Sequence, residues 1–220
     1  EYVTTDMYKP YIDLAKKVFP HANIVVDKFH IVQLLTRELN KLRINEMKKL
    51  NTRSREYKIL KRYWKIPLTR KRDLNSIYFY KNRHFKNMTS SVDILDYMLK
   101  EFPNLKEAYD FYQNFLLSIS KNDVTMLEDI LNTRTDEIPM CFRKSIKSLK
   151  KLRKYVLNSL KYDYTNAMVE GKNNKIKVIK RVSYGYRSFR NFKARIMLME
   201  RYKIQKGNIH SYQFAMDAAA

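Results

Sequence analysis

The spacing of apolar residues at the start of the chain predicts a strand, a helix and a second strand. Residues 2–6, "YVTTD", form a short extended run, and "ANIVVD" contains three consecutive β-branched residues, as buried strands do. Between the two runs, apolar side chains recur at helical spacing at Tyr11, Leu14, Ala15 and Val18. Such a crossover makes its strands parallel. We therefore expect Asp6 and Asp27 at one carboxyl edge of the sheet, where open α/β sheets bind ligands.

The rest of the chain has helical periodicity and predicts no further strand. The run "FHIVQLLTRELNKLRINEMKKL" is expected to form one long helix, and "FRKSIKSLKKLRKYVLNSL" another, with breaks near Pro103, Asn122 and Pro139. Residues 68–87 follow no period. A helix through Glu170, a turn at Gly185 and a closing helix end the pattern.

The predicted helix around Glu170 has two different faces. On an ideal helix Glu170, Asn174, Lys177 and Arg181 fall near one line. The apolar residues lie on the opposite side, at Met168, Ile176, Ile179 and Val182. The helix is therefore expected to pack by its apolar stripe and to present one carboxylate among cations.

The charge balance suggests a polyanionic partner. The chain of 220 residues has a formal net charge of +23. A compact domain with this charge repels itself unless a polyanion offsets the charge, and nucleic acid is the leading candidate. An anionic membrane is a weaker candidate, because no apolar run approaches the roughly 20 residues of a membrane span and no signal peptide opens the chain. We expect an intracellular protein. With one cysteine and four scattered histidines there is no zinc-binding spacing, so any metal would have oxygen ligands.

Two basic clusters near the C-terminus combine cations with amides and aromatic residues, as phosphate contacts and base stacking require. The alternative is an ordinary solvated charged face. Trp64, in another basic stretch, is expected in the core. The candidate DNA-binding residues are Lys172, Asn173, Asn174, Lys175, Lys177, Lys180, Arg181, Arg187 and Arg190.

Asp6 and Glu170 are the candidate metal ligands. Two-metal phosphoryl transfer requires carboxylates from several elements, and Mg²⁺ (or Mn²⁺) prefers such ligands. Asp6 has the alternative of capping the first helix, and Glu170 that of an ion pair along its own helix. Asp27 and His30 either form a helix cap with a half-buried histidine or support the site, with His30 bonded to a carboxylate.

Both ends of the chain resemble a known family. "VTTDMYKPYIDLAKKVFPHANIVVDKFHIV" and "TNAMVEGKNNKIKVIKRVSYGYRSFRNFKARI" are similar to the C-terminal part of bacterial DDE transposases of the ISL3 insertion-sequence group. The resemblance implies an α+β, predominantly α fold, with a partial ribonuclease H-like βαβ unit interrupted by an all-α insertion and closed by C-terminal helices. The implied parts are 1–30 with 163–205 as the catalytic part, 31–162 as the insertion and 206–220 as a tail.

The same resemblance implies a chemistry. Asp6 would be the second catalytic aspartate, Glu170 the final glutamate, and Asp27 and His30 the ends of an Asp-x-x-His motif. Such enzymes use Mg²⁺ to cut transposon DNA and join it to a target, as homo-oligomers on the bacterial nucleoid in the cytoplasm. The strand that carries the family's first aspartate is not in the sequence, so we expect this chain alone to be inactive.

Two other classes of function fit the residues. One is a non-catalytic basic nucleic-acid-binding protein, which has no use for Glu170 among its cations. The other is a helical interaction module, in which the charge serves only solubility.

Overall fold

The computed structural model describes residues 1–162 and 164–201. The chain divides into two compact units, Glu1–Thr165 and Asn166–Ala220. Because the predicted grouping of 1–30 with 163–205 concerns both units, it stays a prediction. The predicted tail, 206–220, lies outside the described residues.

The first unit opens with the predicted strand, helix and strand. Strand β1 (Tyr2–Thr5) and strand β2 (Asn23–Val26) are joined by helix α1 (Lys9–Val18). The strands pair in parallel, with Tyr2 opposite Asn23 and Thr5 opposite Val26. The parallel arrangement is confirmed, and it brings the ends of both strands to one edge.

Helix α1 buries a different face from the one its apolar spacing suggests. Ile12 and Ala15 are buried, whereas Tyr11, Leu14 and Val18 are more than half exposed. The helix packs on β1 and β2, and a sheet of two strands covers only a narrow side of a helix. The spacing therefore predicts the helix correctly but not the face that it buries.

The helical block follows, and its boundaries are set by local signals. Ser90 and Asp93 form a capping box at the start of one helix, Pro103 starts the next, and Asp123 caps the one after that. The predicted helix over 142–160 is interrupted at Leu152, which allows the second part to pack on β2. The helices are α2 (Lys28–Lys48), α3 (Arg55–Arg62), α4 (Ser91–Glu101), α5 (Pro103–Ser120), α6 (Val124–Asn132), α7 (Arg143–Lys151) and α8 (Arg153–Lys161).

Helix α2 lies at the centre of the core. It packs on α3, α5, α7 and α8, and its residues Leu35 and Leu39 are fully buried. The Tyr112 hydroxyl of α5 lies 2.7 Å from Oγ1 of Thr36, which satisfies two polar groups between the helices. Asn158 of α8 donates from Nδ2 to the Ile24 carbonyl of β2 at 2.9 Å. These contacts fix the helical block on the sheet.

Residues 68–87, which showed no period, are ordered by short-range contacts. Three-residue 3₁₀ helices lie at Ile66–Leu68 and Lys71–Asp73, and an isolated antiparallel bridge joins Tyr80 to Thr89. Asn82 donates to the Thr89 carbonyl at 2.8 Å. Trp64, expected in the core, is 41% exposed beside Lys65, so that prediction is wrong.

The second unit is a helical hairpin in its described part. Helices α9 (Ala167–Val182) and α10 (Phe189–Arg201) contact each other and are joined through the predicted turn. The amide of Gly185 donates to the Lys180 carbonyl, and that of Tyr184 to the Arg181 carbonyl. Together these bonds form a Schellman motif with Tyr184 and Gly185 at positive φ.

The apolar stripe of α9 is buried only in part. Ile179 is buried and Ile176 is half-buried, but Met168 and Val182 are 77% and 68% exposed. Met168 and Val182 lie in the first and last turns of α9, so each has neighbours on fewer sides than mid-helix residues.

Helices and two parallel strands confirm a predominantly helical α+β fold. The further assignment to a ribonuclease H-like arrangement stays a prediction. Within residues 1–162 and 164–201, no helix has the length and apolar character needed to cross a membrane.

Candidate active site

Asp6 and Asp27 lie at the same edge of the sheet, as their positions in the sequence predict. Each follows the last residue of its strand, and the strands run in parallel register. The backbone N–H of Asp27 donates to the Thr5 carbonyl at 3.1 Å, which continues the ladder up to the two acids. The sheet thus fixes the backbone from which both side chains project.

His30 contacts the Asp6 carboxylate. Its Nε2 atom lies 2.9 Å from Oδ1 of Asp6, and both side chains are partly exposed. The alternative in which Asp6 caps α1 is wrong, because the cap position is Tyr8 and no side chain bonds there. A charge-assisted bond from an imidazole fixes the orientation of a carboxylate.

Asp27 has the structural position that its sequence context suggests. It is the N-cap of α2, its Oδ1 accepts from the Phe29 amide at 2.8 Å, and the residue is buried. The cap fixes the start of α2. His30, in the first turn of that helix, is thereby directed towards Asp6.

An open cleft of about 360 Å³ lies beside the Asp6–His30 pair. One face of α2 lines it with His30, Gln33, Leu34 and Arg37. Gln33 and Arg37 were not among the predicted site residues. Their positions three and seven residues after His30 were the signal that could have identified them, because these spacings share a helix face.

Glu170 lies in the second unit, in the first turn of α9, and is exposed. A carboxylate there is stabilised by the positive end of the helix dipole. The structure brings Asp6 and His30 together within the first unit. The approach of Glu170 to Asp6 stays a prediction, as does the ion pair along α9.

The predicted DNA-binding residues lie on the hairpin and are exposed. Lys175 also donates to the Met199 carbonyl at 3.2 Å, which connects α9 to α10. In residues 166–201 the only acids are Glu170 and Glu200, so cations dominate this surface. The exposed candidates are Lys172, Asn173, Asn174, Lys175, Lys177, Lys180, Arg181, Arg187 and Arg190.

The donors present fit a hard divalent cation only in part. The carboxylate of Asp6 is a suitable oxygen ligand at an accessible edge. Among the residues that the structure describes, however, no group of three or more acidic, histidine or cysteine side chains is close enough to hold a metal ion. A complete site would require further carboxylates to approach Asp6.

Comparison with known proteins agrees with the pattern at both ends of the chain. A family model of transposases, the ISL3 group of DDE transposases, matches residues 1–196. No solved structure matches the chain significantly.

A protein of Lactococcus lactis subsp. lactis named "ATP-dependent protease" is 30% identical over 188 residues. The match covers 84% of this chain and 59% of that relative, so the chain spans about three fifths of the relative's length. The family model covers most of the sequence, including Asp6, Asp27, His30 and Glu170. The chain therefore belongs to the ISL3 family of transposases.

Proposed function

We propose that the chain is the C-terminal part of a DDE transposase catalytic domain that cuts and joins transposon DNA by Mg²⁺-dependent phosphoryl transfer. The observation that supports it best is the Asp6 carboxylate at the edge of two parallel strands, bonded to His30 at 2.9 Å. In this proposal the sheet belongs to a ribonuclease H-like fold, and Asp6 and Glu170 meet as metal ligands.

Each residue has a separate task in this proposal. Asp6 and Glu170 provide hard oxygen ligands, and His30 holds the Asp6 carboxylate in one orientation. Asp27 keeps His30 in place through the cap of α2. Divalent cations bound there would activate water and stabilise the charge that develops on the scissile phosphate.

The cationic hairpin is proposed to hold the DNA. Its exposed lysines and arginines suit contacts with phosphates, which position a duplex without reading its sequence. The active protein would act on the bacterial nucleoid in the cytoplasm, as an assembly of several copies when full length. A third carboxylate is required for catalysis, so we expect the chain of 220 residues alone not to cleave DNA.

Binding of Mn²⁺ tests the proposed ligands. The wild-type chain should bind Mn²⁺, and both Asp6→Asn and Glu170→Gln should weaken the binding at least tenfold. Glu137→Gln removes an exposed acid of the helical block and serves as the control, which should bind like the wild type. Equal binding by all four proteins would contradict the assignment.

Glu170→Gln also separates the enzyme from a protein that only binds nucleic acid. In a catalytic protein the substitution should abolish strand cleavage by the full-length enzyme and still improve DNA binding, because it removes an acid from a cationic surface. The exposed hairpin favours simple DNA binding as the second candidate function. That alternative predicts that Asp6→Asn equals the wild type in both DNA binding and Mn²⁺ binding.

The name of the Lactococcus relative does not lead to a protease proposal for this chain. A phosphate-binding Gly-x-x-x-x-Gly-Lys loop requires two glycines five residues apart. The three glycines of this sequence, Gly171, Gly185 and Gly207, are much more widely spaced. Nucleic acid is favoured instead by the cationic surface of the hairpin, since residues 166–201 contain only two acids.

A further inference from the structure

Helix α3 of the helical block has a cationic face. Lys58, Lys61 and Arg62 are spaced at i, i+3 and i+4, which places them on one side of the helix. Ile59 and Leu60 are fully buried against the core. The helix is therefore anchored by its apolar side, and its three cations are exposed.

The loop at residues 81–86 is held against the same helix. The ring of Phe85 packs 6.1 Å from that of Tyr63 and 5.6 Å from that of Tyr97. The Tyr63 hydroxyl donates to the Arg83 carbonyl at 2.7 Å, and Nε of Arg55 donates to the His84 carbonyl, also at 2.7 Å. These contacts define the backbone position of Arg83 and His84.

The loop and the helix border an open cleft of about 480 Å³, which we name the α3 cleft. It is lined by Lys58, Lys61, Arg62, Arg83 and His84. Within the described part of the chain, none of its four lysine and arginine side chains forms an ion pair with a carboxylate. Glu56 of the same helix instead accepts from the Tyr97 hydroxyl. The cleft therefore combines several positive charges in a small space.

His84 has an unusual backbone conformation and a lowered pKa. Its φ angle of 78° is in the left-handed region, which is unfavourable for a residue with a side chain and is common at functional sites. Partial burial lowers the pKa of His84, and the charges of Arg83, Lys58, Arg62 and Arg55 lower it further. The cations around His84 therefore disfavour its protonated form.

We infer that the α3 cleft binds the phosphodiester backbone of DNA, as a second contact surface in the helical block besides the α9–α10 hairpin. The inference rests on the proposed function for the choice of DNA as the polyanion. Duplex DNA carries one negative charge per roughly 1.7 Å of axis, so cations that share a groove can each contact a phosphate. Arg62 and Arg83 suit that role because their planar guanidinium groups bind phosphate oxygens in pairs.

The salt dependence of duplex binding tests the inference. The triple variant Lys61→Gln/Arg62→Gln/Arg83→Gln should bind a fluorescent 20-base-pair duplex at least tenfold more weakly than the wild type at 100 mM KCl. Its slope of log affinity against log salt should fall by about two to three, since each lost phosphate contact removes about 0.9. Fluorescence anisotropy between 50 and 200 mM KCl measures both quantities.

A matched variant controls for total charge. Lys100→Gln/Lys106→Gln/Lys121→Gln removes three exposed lysines from other parts of the first unit and should change affinity less than about threefold. Equal losses in the two triple variants, or none in either, would overturn the inference. Circular dichroism shows whether the cleft variant is folded. If it is not, Arg83→Gln alone should still lower the slope of log affinity against log salt by about one.

Poly-glutamate and Mn²⁺ provide two further readouts. If poly-glutamate binds the wild type as tightly as the duplex and loses affinity in the cleft variant, the cleft is a general polyanion site and the inference is wrong. Binding of Mn²⁺ should be the same in both triple variants, because Asp6 and Glu170 are untouched. Failure of the metal assignment would therefore be seen separately from failure of the cleft.

Discussion

The two units of the chain differ in how they use their aromatic and apolar side chains. In Glu1–Thr165 the large residues Tyr112, Phe115 and Phe142 are fully buried, whereas Ile179 is the one buried residue among those described after Asn166. The first unit is held by a core, and the second by the turn at Gly185 and by contacts between its two helices. The difference shows that one part of a chain can provide the buried core while another part provides a charged surface.

Loss of a buried ring should have the largest effect. Phe115→Ala should lower the free energy of unfolding by about 3–5 kcal/mol, because it removes a fully buried ring and leaves a cavity. Phe189→Ala, which truncates a ring that is 76% exposed in the second unit, should change it by less than about 0.5 kcal/mol. Urea denaturation followed by far-UV circular dichroism, to which the helices of both units contribute, measures both. Similar losses would show that the second unit has a core of its own.

Cys141 tests how well the first unit excludes water. Burial raises the pKa of its thiol to about 11, and the charges of Glu38 and Glu107 add to the shift. At pH 8 the folded thiol should therefore react with iodoacetamide about a hundredfold more slowly than an ordinary thiol, since each pKa unit is tenfold in thiolate.

A cysteine in the second unit provides the control. Cys141→Ser/Val178→Cys places the thiol where Val178 is 53% exposed. It should react at the ordinary rate or faster, because the neighbouring lysines stabilise the thiolate. In the wild type, folding raises the pKa of the Cys141 thiol, so the neutral thiol adds to the free energy of unfolding in full below its ordinary pKa of 9.0. This contribution is lost as the pH rises towards 11. Equal rates for the two thiols would contradict a solvent-excluding core.

The bond between Asn158 and Ile24 connects the helical block to the sheet. Asn158→Asp removes the donor and directs an acceptor at the Ile24 carbonyl, which should cost about 1–3 kcal/mol of unfolding free energy. Asn87→Asp changes an exposed residue in the same way and should cost almost nothing. Thermal unfolding by circular dichroism compares them, and an equally stable Asn158→Asp would exclude the connection as a source of stability.

The parts of the site that local pattern determines could be predicted from the sequence. Consecutive β-branched residues identified β2, and the parallel crossover placed Asp6 and Asp27 at one edge. The spacing of Asp27 and His30 left two alternatives open, a helix cap with a half-buried histidine and a histidine bonded to a carboxylate. The structure contains both the cap and the contact, and the supporting role of the two residues stays a prediction.

The parts that depend on tertiary contacts could not be predicted. The apolar pattern of α1 does not reveal that the sheet covers only Ile12 and Ala15, and the period of 142–160 continues through the break at Leu152. The α3 cleft combines residues more than 20 positions apart, which Phe85 brings together by packing. A charged segment without hydrophobic periodicity does not predict such an arrangement.

The smallest expected effect concerns the turn of the hairpin, where the backbone rather than a core determines stability. Tyr184 has a φ angle of 52° and a fully exposed side chain, and a residue with a side chain pays about 1–2 kcal/mol for that conformation. Tyr184→Gly recovers this cost but loses about 0.5–1 kcal/mol to the greater freedom of glycine in the unfolded chain. Hydrogen exchange of the Gly185 amide, which is bonded to the Lys180 carbonyl, should therefore slow by about two- to threefold. Tyr186→Gly should accelerate it, because that change removes the hydroxyl contact to Ser183 and the ring contact to Phe192 without relieving strain. Faster exchange in Tyr184→Gly would mean that the exposed ring itself holds the turn closed.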